Sequence, residues 1–235
     1  MHPQMATNIT HFIEVTDDPA TAADRDTIGG APHLPPDIEH PRCKLCNERM
    51  VLFLQFDVRK EFGLPFQPGS HFSAFMCPQH NDATISAEPL SELPMSPRYW
   101  EQDLGHFSIL LLAATAQTVA GQLDRHIQSR KLRFEQTEEQ IETGEGITSG
   151  SQAFKVGGVP YWINYAPQPK CSCGGTLRFV CQLPENLGFP KIATAPSQPN
   201  SFSYNDYCYL LGNFVYFLAC DQQCDAQAAV AICDN

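Results

Sequence analysis

Residues 27–57 read TIGGAPHLPPDIEHPRCKLCNERMVLFLQFD, and residues 155–183 read KVGGVPYWINYAPQPKCSCGGTLRFVCQL. The two stretches align at an offset of 128 from Gly29 and Gly157 onward, and the second has one residue fewer between its paired cysteines. Self-similarity at a fixed spacing is typical of an internal repeat. We therefore predict an internal duplication of a β-rich unit, with the glycine pairs forming positive-φ turns.

Each copy continues with two apolar or aromatic-rich runs that are bounded by Pro and Gly and have the length of β-strands. The 19 prolines and 15 glycines leave little room for long helices. The predicted strands span 50–58 and 71–77 in the first copy, and 176–183 and 213–220 in the second.

The segment between the copies has a different pattern. Val119, Leu123 and Ile127 share one helical face at i, i+4 spacing, which favours a helix, whereas 107–112 fits either a strand or a buried helix. We predict an α+β, mainly β protein with a mixed helical insert between its halves. The predicted units are a first β-rich repeat at 1–95, the insert at 96–151 and a second β-rich repeat at 152–235. Within the insert, residues 135–151 are expected to form an acidic, mobile connector. A long loop is expected at 185–203.

The strongest chemical signal is a pair of cysteines followed by a Cys/His pair in the first copy. Cys43 and Cys46 are separated by two residues, as are Cys77 and His80. Two-residue spacing lets a tight turn present both side chains to one tetrahedral ion, and a distant second pair completes the site. This order matches a zinc ribbon, in which four protein ligands leave no position open for a substrate water.

The second copy has cysteine pairs at the corresponding positions, Cys171 with Cys173 and Cys220 with Cys224. Their spacing alone is less typical, but the repeat alignment supports a second site. Thiolates in tetrahedral spacing favour zinc, although iron fits the same residues. Buried free thiols, a site that has lost its metal, and disulfides formed by oxidation are the alternatives.

The charge of the chain limits its partners. The 235 residues include 15 Lys and Arg against 26 Asp and Glu, for a formal net charge of -11. Nucleic acids and anionic membranes require clustered cations, so neither is an expected partner. A basic protein would be attracted, and an acidic surface that only aids solubility is an equal alternative. The candidate partner-binding residues are Glu135, Glu138, Glu139, Glu142 and Glu145.

Two further features bear on location and chemistry. The N-terminus lacks a basic segment followed by an apolar stretch, and no apolar run is long enough to cross a bilayer, so we expect a cytoplasmic protein. The chain has no G-x-S-x-G and no H-E-x-x-H motif. We therefore do not expect an enzyme.

The Gly-Gly-x-Pro-x-Leu-Pro segment at 29–35, the Cys pair that follows it and the late Cys/Cys strand resemble the YwqG-like family of bacterial domains of unknown function. The second copy, with GGVPYWI at 157–163 before CSCGGTLRFVCQL, is also similar to the duplicated domain of programmed-cell-death-two-like proteins. The resemblance covers most of the chain except 1–26 and 97–150. It implies a duplicated, mainly β protein that binds other proteins.

The resemblance and the charge together favour an immunity protein. Some YwqG-like proteins neutralise antibacterial toxins, including nuclease effectors of type VI secretion systems, so the expected partner is a cognate toxin with a basic nuclease domain. A chaperone or assembly factor for a basic client protein is the first alternative, as the relation to programmed-cell-death-two-like proteins implies. A zinc-dependent enzyme is the second.

Overall fold

The computed structural model describes residues 4–83, 105–144, 147–164 and 166–234. These residues form a mainly β structure without an α-helix, and two single 3-10 turns lie at Lys60–Phe62 and Leu210–Gly212. The glycine- and proline-rich sequence thus folds into short strands and turns.

Fifteen strands occur in the described part of the chain, and most are short. In chain order they are β1 (Gln4–Pro19), β2 (Thr27–Ile28), β3 (His33–Leu34), β4 (Val51–Asp57), β5 (His71–Met76), β6 (Phe107–Leu112), β7 (Val119–Ala120), β8 (Arg130–Gly144), β9 (Ile147–Ser149), β10 (Lys155–Val156), β11 (Leu177–Leu183), β12 (Gly188–Pro190), β13 (Asp206–Cys208), β14 (Phe214–Cys220) and β15 (Ala229–Asp234). The four strands predicted within the repeat correspond to β4, β5, β11 and β14.

Ten strands form one antiparallel sheet in the order β15-β14-β11-β10-β1-β8-β2-β4-β5-β6, and β9 adds to β8. The sheet curls until its two end strands, β6 and β15, lie close to each other. Beside this closure, the Leu111 N–H donates to the Ala226 carbonyl at 2.8 Å. Strands β3 with β7, and β12 with β13, form two small separate sheets.

The two ends of the main sheet repeat one strand order. Strands β2, β4, β5 and β6 follow one another in space as do β10, β11, β14 and β15. The long strands β1 and β8 pair with each other at the centre, and each also pairs with the short strand of the other half: β1 with β10, and β8 with β2. The two halves are therefore joined by exchanged strands, and their common order is what an internal repeat predicts.

The two glycine turns are hydrogen-bonded to equivalent positions of the neighbouring strands. The Gly29 N–H donates to the Phe53 carbonyl at 3.2 Å, and the Gly157 N–H donates to the Val180 carbonyl at 3.0 Å. Both glycines have positive φ, 55° and 68°, a conformation that disfavours residues with a Cβ atom. The predicted positive-φ turns are confirmed.

Most of the buried apolar residues form one core that both halves share. The Phe53 ring of β4 lies 5.0 Å from Phe189 and 5.1 Å from Tyr209, edge to face. Phe72 of β5 contacts Phe217 of β14 at 5.4 Å. Such aromatic pairs add to the free energy of area burial. A smaller cluster covers the other face of β14, where Tyr216 stacks on Trp162.

The predicted helical insert is wrong in the part that the structure describes. Residues 107–112 form β6, which pairs with β5, and residues 119–120 form β7. The proposed helical face does not exist, because Val119 and Leu123 are exposed whereas Ile127 is fully buried. Pairing with distant strands thus outweighs a local helical spacing. Residues 96–104, the first part of the predicted insert, lie outside the described residues.

The acidic connector is also a strand for most of its length. β8 pairs with β1 along nearly its whole extent, from Gln4 opposite Thr143 to Val15 opposite Leu132. The expected long loop at 185–203 contains β12, which pairs with β13.

Candidate metal centres

The first centre lies where β4 begins and β5 ends. These strands are antiparallel, with Val51 opposite Met76, so the residues before β4 and after β5 meet at one edge. The turn that carries Cys43 and Cys46 is closed by hydrogen bonds from the Asn47 N–H to the Cys43 carbonyl at 2.7 Å and from the Cys43 N–H to the Glu48 carbonyl at 2.9 Å. The fold thus places the first cysteine pair opposite the second pair.

The four donors of the first centre converge on one point. Cys43 Sγ lies 3.6 Å from His80 Nδ1, Cys46 Sγ lies 3.5 Å from Cys77 Sγ, and Cys77 Sγ lies 3.3 Å from His80 Nδ1. All four ligand atoms are within 4.8 Å of one another. A tetrahedral zinc ion would separate sulfur atoms by about 3.8 Å and sulfur from nitrogen by about 3.6 Å. The four donors therefore fit one tetrahedral ion.

The second centre is built in the same way between β11 and β14, where Leu177 lies opposite Cys220. Sulfur–sulfur distances are 3.6 Å for Cys171 and Cys224, 3.5 Å for Cys173 and Cys220, and 3.8 Å for Cys220 and Cys224. Gly174, at a φ of 93°, closes the turn that is one residue shorter than in the first copy. This set of four thiols also fits one tetrahedral ion.

Two backbone groups complete the surroundings of the sulfur atoms. The Gln79 N–H donates to Cys77 Sγ, and the Gly175 N–H donates to Cys173 Sγ, each at 3.4 Å. The bond from the Gly175 N–H lowers the pKa of the exposed Cys173 thiol to about 7. Burial raises the pKa of the Cys77 thiol to about 12. A bound cation offsets the cost of burying thiolates and removes their protons.

The chemistry of both donor sets fits a structural metal such as zinc. Thiolate and imidazole ligands suit zinc, and four protein ligands leave no open coordination position. Such an ion would hold the edges of paired strands together, while the polypeptide would supply every ligand. The three remaining cysteines, Cys181, Cys208 and Cys233, lie outside both centres and are buried.

The five glutamates expected to form one partner surface do not do so. Glu138 and Glu142 are exposed and lie on one face of β8, whereas Glu135 is exposed on the opposite face, as the two-residue period of a strand requires. Glu139 is buried, which corrects its assignment to a binding surface. Glu145 lies outside the described residues.

Glu139 is buried because it pairs with Lys155. Both side chains are fully shielded from solvent, and the ammonium donates to the carboxylate. The carboxylate also accepts the Ser151 N–H at 3.0 Å and the Val159 N–H at 2.9 Å. Burial alone would raise the pKa of Glu139, but these donors hold it below its usual range. Glu139 therefore anchors the second glycine turn from inside.

Sequence reasoning missed the role of two matched glutamines. The Gln55 Oε1 accepts the His33 N–H at 3.2 Å, and the Gln182 Oε1 accepts the Tyr161 N–H at 2.9 Å. Gln55 and Gln182 occupy equivalent positions in the repeat alignment, and both are fully buried in strands. A polar residue repeated inside an apolar run was the signal that could have identified them.

The chain matches no model of a known protein family, and no curated protein matches it. The resemblance to YwqG-like domains therefore stays a prediction. Within the part of the chain that the structure describes, no helix has the length and apolar character to cross a membrane.

Proposed function

We propose that this protein is a cytoplasmic immunity protein that binds a cognate antibacterial toxin and occludes its active site. The toxin is a basic nuclease domain delivered by a type VI secretion system. The observation that supports this proposal most is the net charge of -11 combined with the way the cations are used. At least seven of the described Lys and Arg side chains already lie within 4.0 Å of a carboxylate: Arg25, Arg59, Arg130, Lys131, Arg133, Lys155 and Arg178.

The surplus carboxylates are directed to solvent. Glu138 and Glu142 lie on the exposed end of the central strand pair, and Asp37, Glu39 and Asp225 are exposed in loops near the two metal centres. A nuclease binds phosphates through clustered Lys and Arg. Carboxylates presented on a rigid surface compete for the same cations and speed the encounter of the two proteins.

Zinc in both centres would hold the exposed acidic loops rigid. The turns that carry Cys43 and Cys171 border the exposed loops, and the described residues contain no α-helix that could brace them. A structural zinc ion contributes on the order of 10 kcal/mol of apparent folding free energy in small modules. We therefore assign zinc the role of holding the loops in the geometry that meets the partner.

Coexpression with the toxin encoded by the neighbouring gene tests the function. We expect the protein to restore growth of cells that produce the toxin and to copurify with it. A toxin variant that lacks nuclease activity serves as the control for the complex, because binding should not need that activity. Persistent growth arrest with soluble protein and no recovered complex would refute the immunity function.

A further inference from the structure

An open groove joins the neighbourhoods of the two metal centres. Its larger part has a volume of about 890 Å³ and includes Cys43 in its lining, and its smaller part has a volume of about 470 Å³ and includes Cys224. Asp37 and Asp225 line both parts, so the two parts adjoin each other. The first half of the chain contributes one wall and the loop before β15 contributes the other.

The larger and the smaller part of the groove differ in the charged residues that line them. Arg42 and Lys44 line only the larger part, near the first metal centre, and the Arg42 guanidinium donates to the Asn47 carbonyl at 2.9 Å. The smaller part is lined by the carboxylates of Asp37 and Asp225, and its described lining contains no Lys or Arg. This end of the groove therefore favours a cation.

A buried hydroxyl in the groove has an unused hydrogen-bonding capacity. Ser108 is 1% exposed, and its Oγ has no hydrogen-bond partner among the described residues. Ser108 and Leu110 lie two apart on β6, so they share a face of the strand, and both line the larger part of the groove. A buried hydroxyl without a partner costs free energy. A ligand that supplies the missing partner recovers it.

The smaller part also offers apolar surface beside its carboxylates. Lys and Arg side chains place their aliphatic stems on such surface while their charged ends reach polar groups. The apolar lining residues include Pro35, Pro36, Ile38, Leu111, Leu112 and Ala116.

We propose that this groove binds an extended basic segment of the protein partner. A Lys or Arg side chain of that segment lies over the apolar lining and pairs with Asp37 and Asp225. The hydroxyl of Ser108 bonds to the main chain of the same segment. The inference rests on the proposed function, and it names the surface through which the partner is held.

Fluorescence anisotropy with the full-length, metal-loaded protein tests the groove. The probe is a labelled dodecapeptide of alternating Gly and Lys, and its counterpart has Glu in place of Lys. We expect saturable binding of the Lys peptide only. The Asp37→Asn/Asp225→Asn variant should raise its dissociation constant about three- to tenfold, the effect of losing two exposed charge pairs. Ser108→Ala should raise it about threefold or more, as expected for one lost hydrogen bond.

The matched control is Asp17→Asn/Asp18→Asn, which removes two charges of the same sign from exposed residues that do not line the groove. We expect this variant to change the dissociation constant less than about twofold, because exposed charges at a distance are screened. Equal weakening by the two double variants, no saturable binding of the Lys peptide, or equal binding of the Glu peptide would overturn the groove. An unchanged constant for Ser108→Ala would overturn the assignment of its hydroxyl.

Binding measurements with the toxin itself distinguish the proposed groove from the proposed immunity function. If the Asp37→Asn/Asp225→Asn variant binds the toxin as tightly as the natural protein does, the groove is refuted and the immunity function stands. If the natural protein does not bind the toxin, the immunity function is refuted. Circular dichroism and metal content, unchanged in each variant, show that the fold is retained.

Discussion

Asn81 links the first metal centre to a turn in the other half of the molecule. It directly follows the candidate ligand His80, and its Oδ1 accepts the Leu211 N–H at 2.9 Å, while its Nδ2 donates to Cys208 Sγ at 2.7 Å. Leu211 has a φ of 60°, a left-handed conformation that is costly for a leucine. The geometry of the first centre thus helps to hold a strained turn that is distant in sequence.

Asn81→Ala tests this link. The change leaves the Leu211 N–H without its acceptor, so we expect the free energy of unfolding to fall by about 1–3 kcal/mol. Gln79→Ala is the matched control, because the Gln79 side chain is exposed on the other side of His80 and the backbone N–H that it donates to Cys77 is retained. Urea unfolding of both variants measures the difference; equal stabilities would contradict the link.

Metal analysis of cysteine variants tests the two centres separately. We expect two equivalents of zinc in the natural protein and one in either Cys43→Ser or Cys171→Ser, because each change removes one of four ligands. Cys181→Ala is the control and should retain both equivalents, since Cys181 is buried away from the centres. Full zinc content in either cysteine variant would contradict the assignment of that cysteine as a metal ligand.

The buried pair of Glu139 and Lys155 should show strong coupling. Lys155→Met leaves a buried carboxylate without its cation and is expected to lower the free energy of unfolding by about 3–5 kcal/mol. Glu139→Gln/Lys155→Met removes both charges and should be clearly more stable than Lys155→Met alone. Arg133→Met, which breaks the exposed pair with Glu14, is expected to cost at most about 1 kcal/mol. Additive single effects in a double-mutant cycle for Glu139 and Lys155 would argue against the coupling.

Stability should fall as the pH drops below neutrality. Burial lowers the pKa of four histidines in the folded protein, whereas an unfolded histidine gains a proton near about pH 6.5. The unfolded state therefore binds more protons below that pH, so the stability is present above it and is lost as the pH falls. The four residues are His11, His33, His40 and His71.

Unfolding free energies at about pH 7.5 and about pH 5.5 measure this effect. The variant His33→Gln should have a shallower dependence, because it removes one of the four groups. Metal content is followed at each pH, so that loss of metal is not mistaken for protonation of these histidines. A stability that stays constant or rises toward about pH 5.5 would contradict the prediction.

The metal centres could be predicted from sequence because their ligands occur at short, characteristic spacings along the chain. A tetrahedral site needs two close pairs of ligands, so Cys43 with Cys46 and Cys77 with His80 indicate a site without knowledge of the fold. The glycine turns are marked in the same way, since Gly29 and Gly157 adopt a backbone conformation that few other residues tolerate. Because both the glycine pair and the cysteine pairs recur in the second copy, the sequence also predicts the position of the second centre.

The centre of the sheet could not be predicted in this way. β1 and β8 are defined by pairing with each other across more than a hundred residues, and β8 has few apolar residues to mark a strand. Its acidic composition suggested a mobile connector. The burial of Glu139 depends on Lys155, which belongs to a different strand, so a count of exposed glutamates made from sequence includes one that is not exposed.

Titration of the purified, metal-loaded protein with the inactive toxin of the neighbouring gene tests the central claim most directly. Calorimetry at low and at physiological salt should show a saturable one-to-one complex whose affinity falls as the salt concentration rises, because complementary charges draw the two proteins together. The absence of a complex at both salt concentrations, with both proteins folded, would contradict the claim that this acidic protein neutralises a basic toxin.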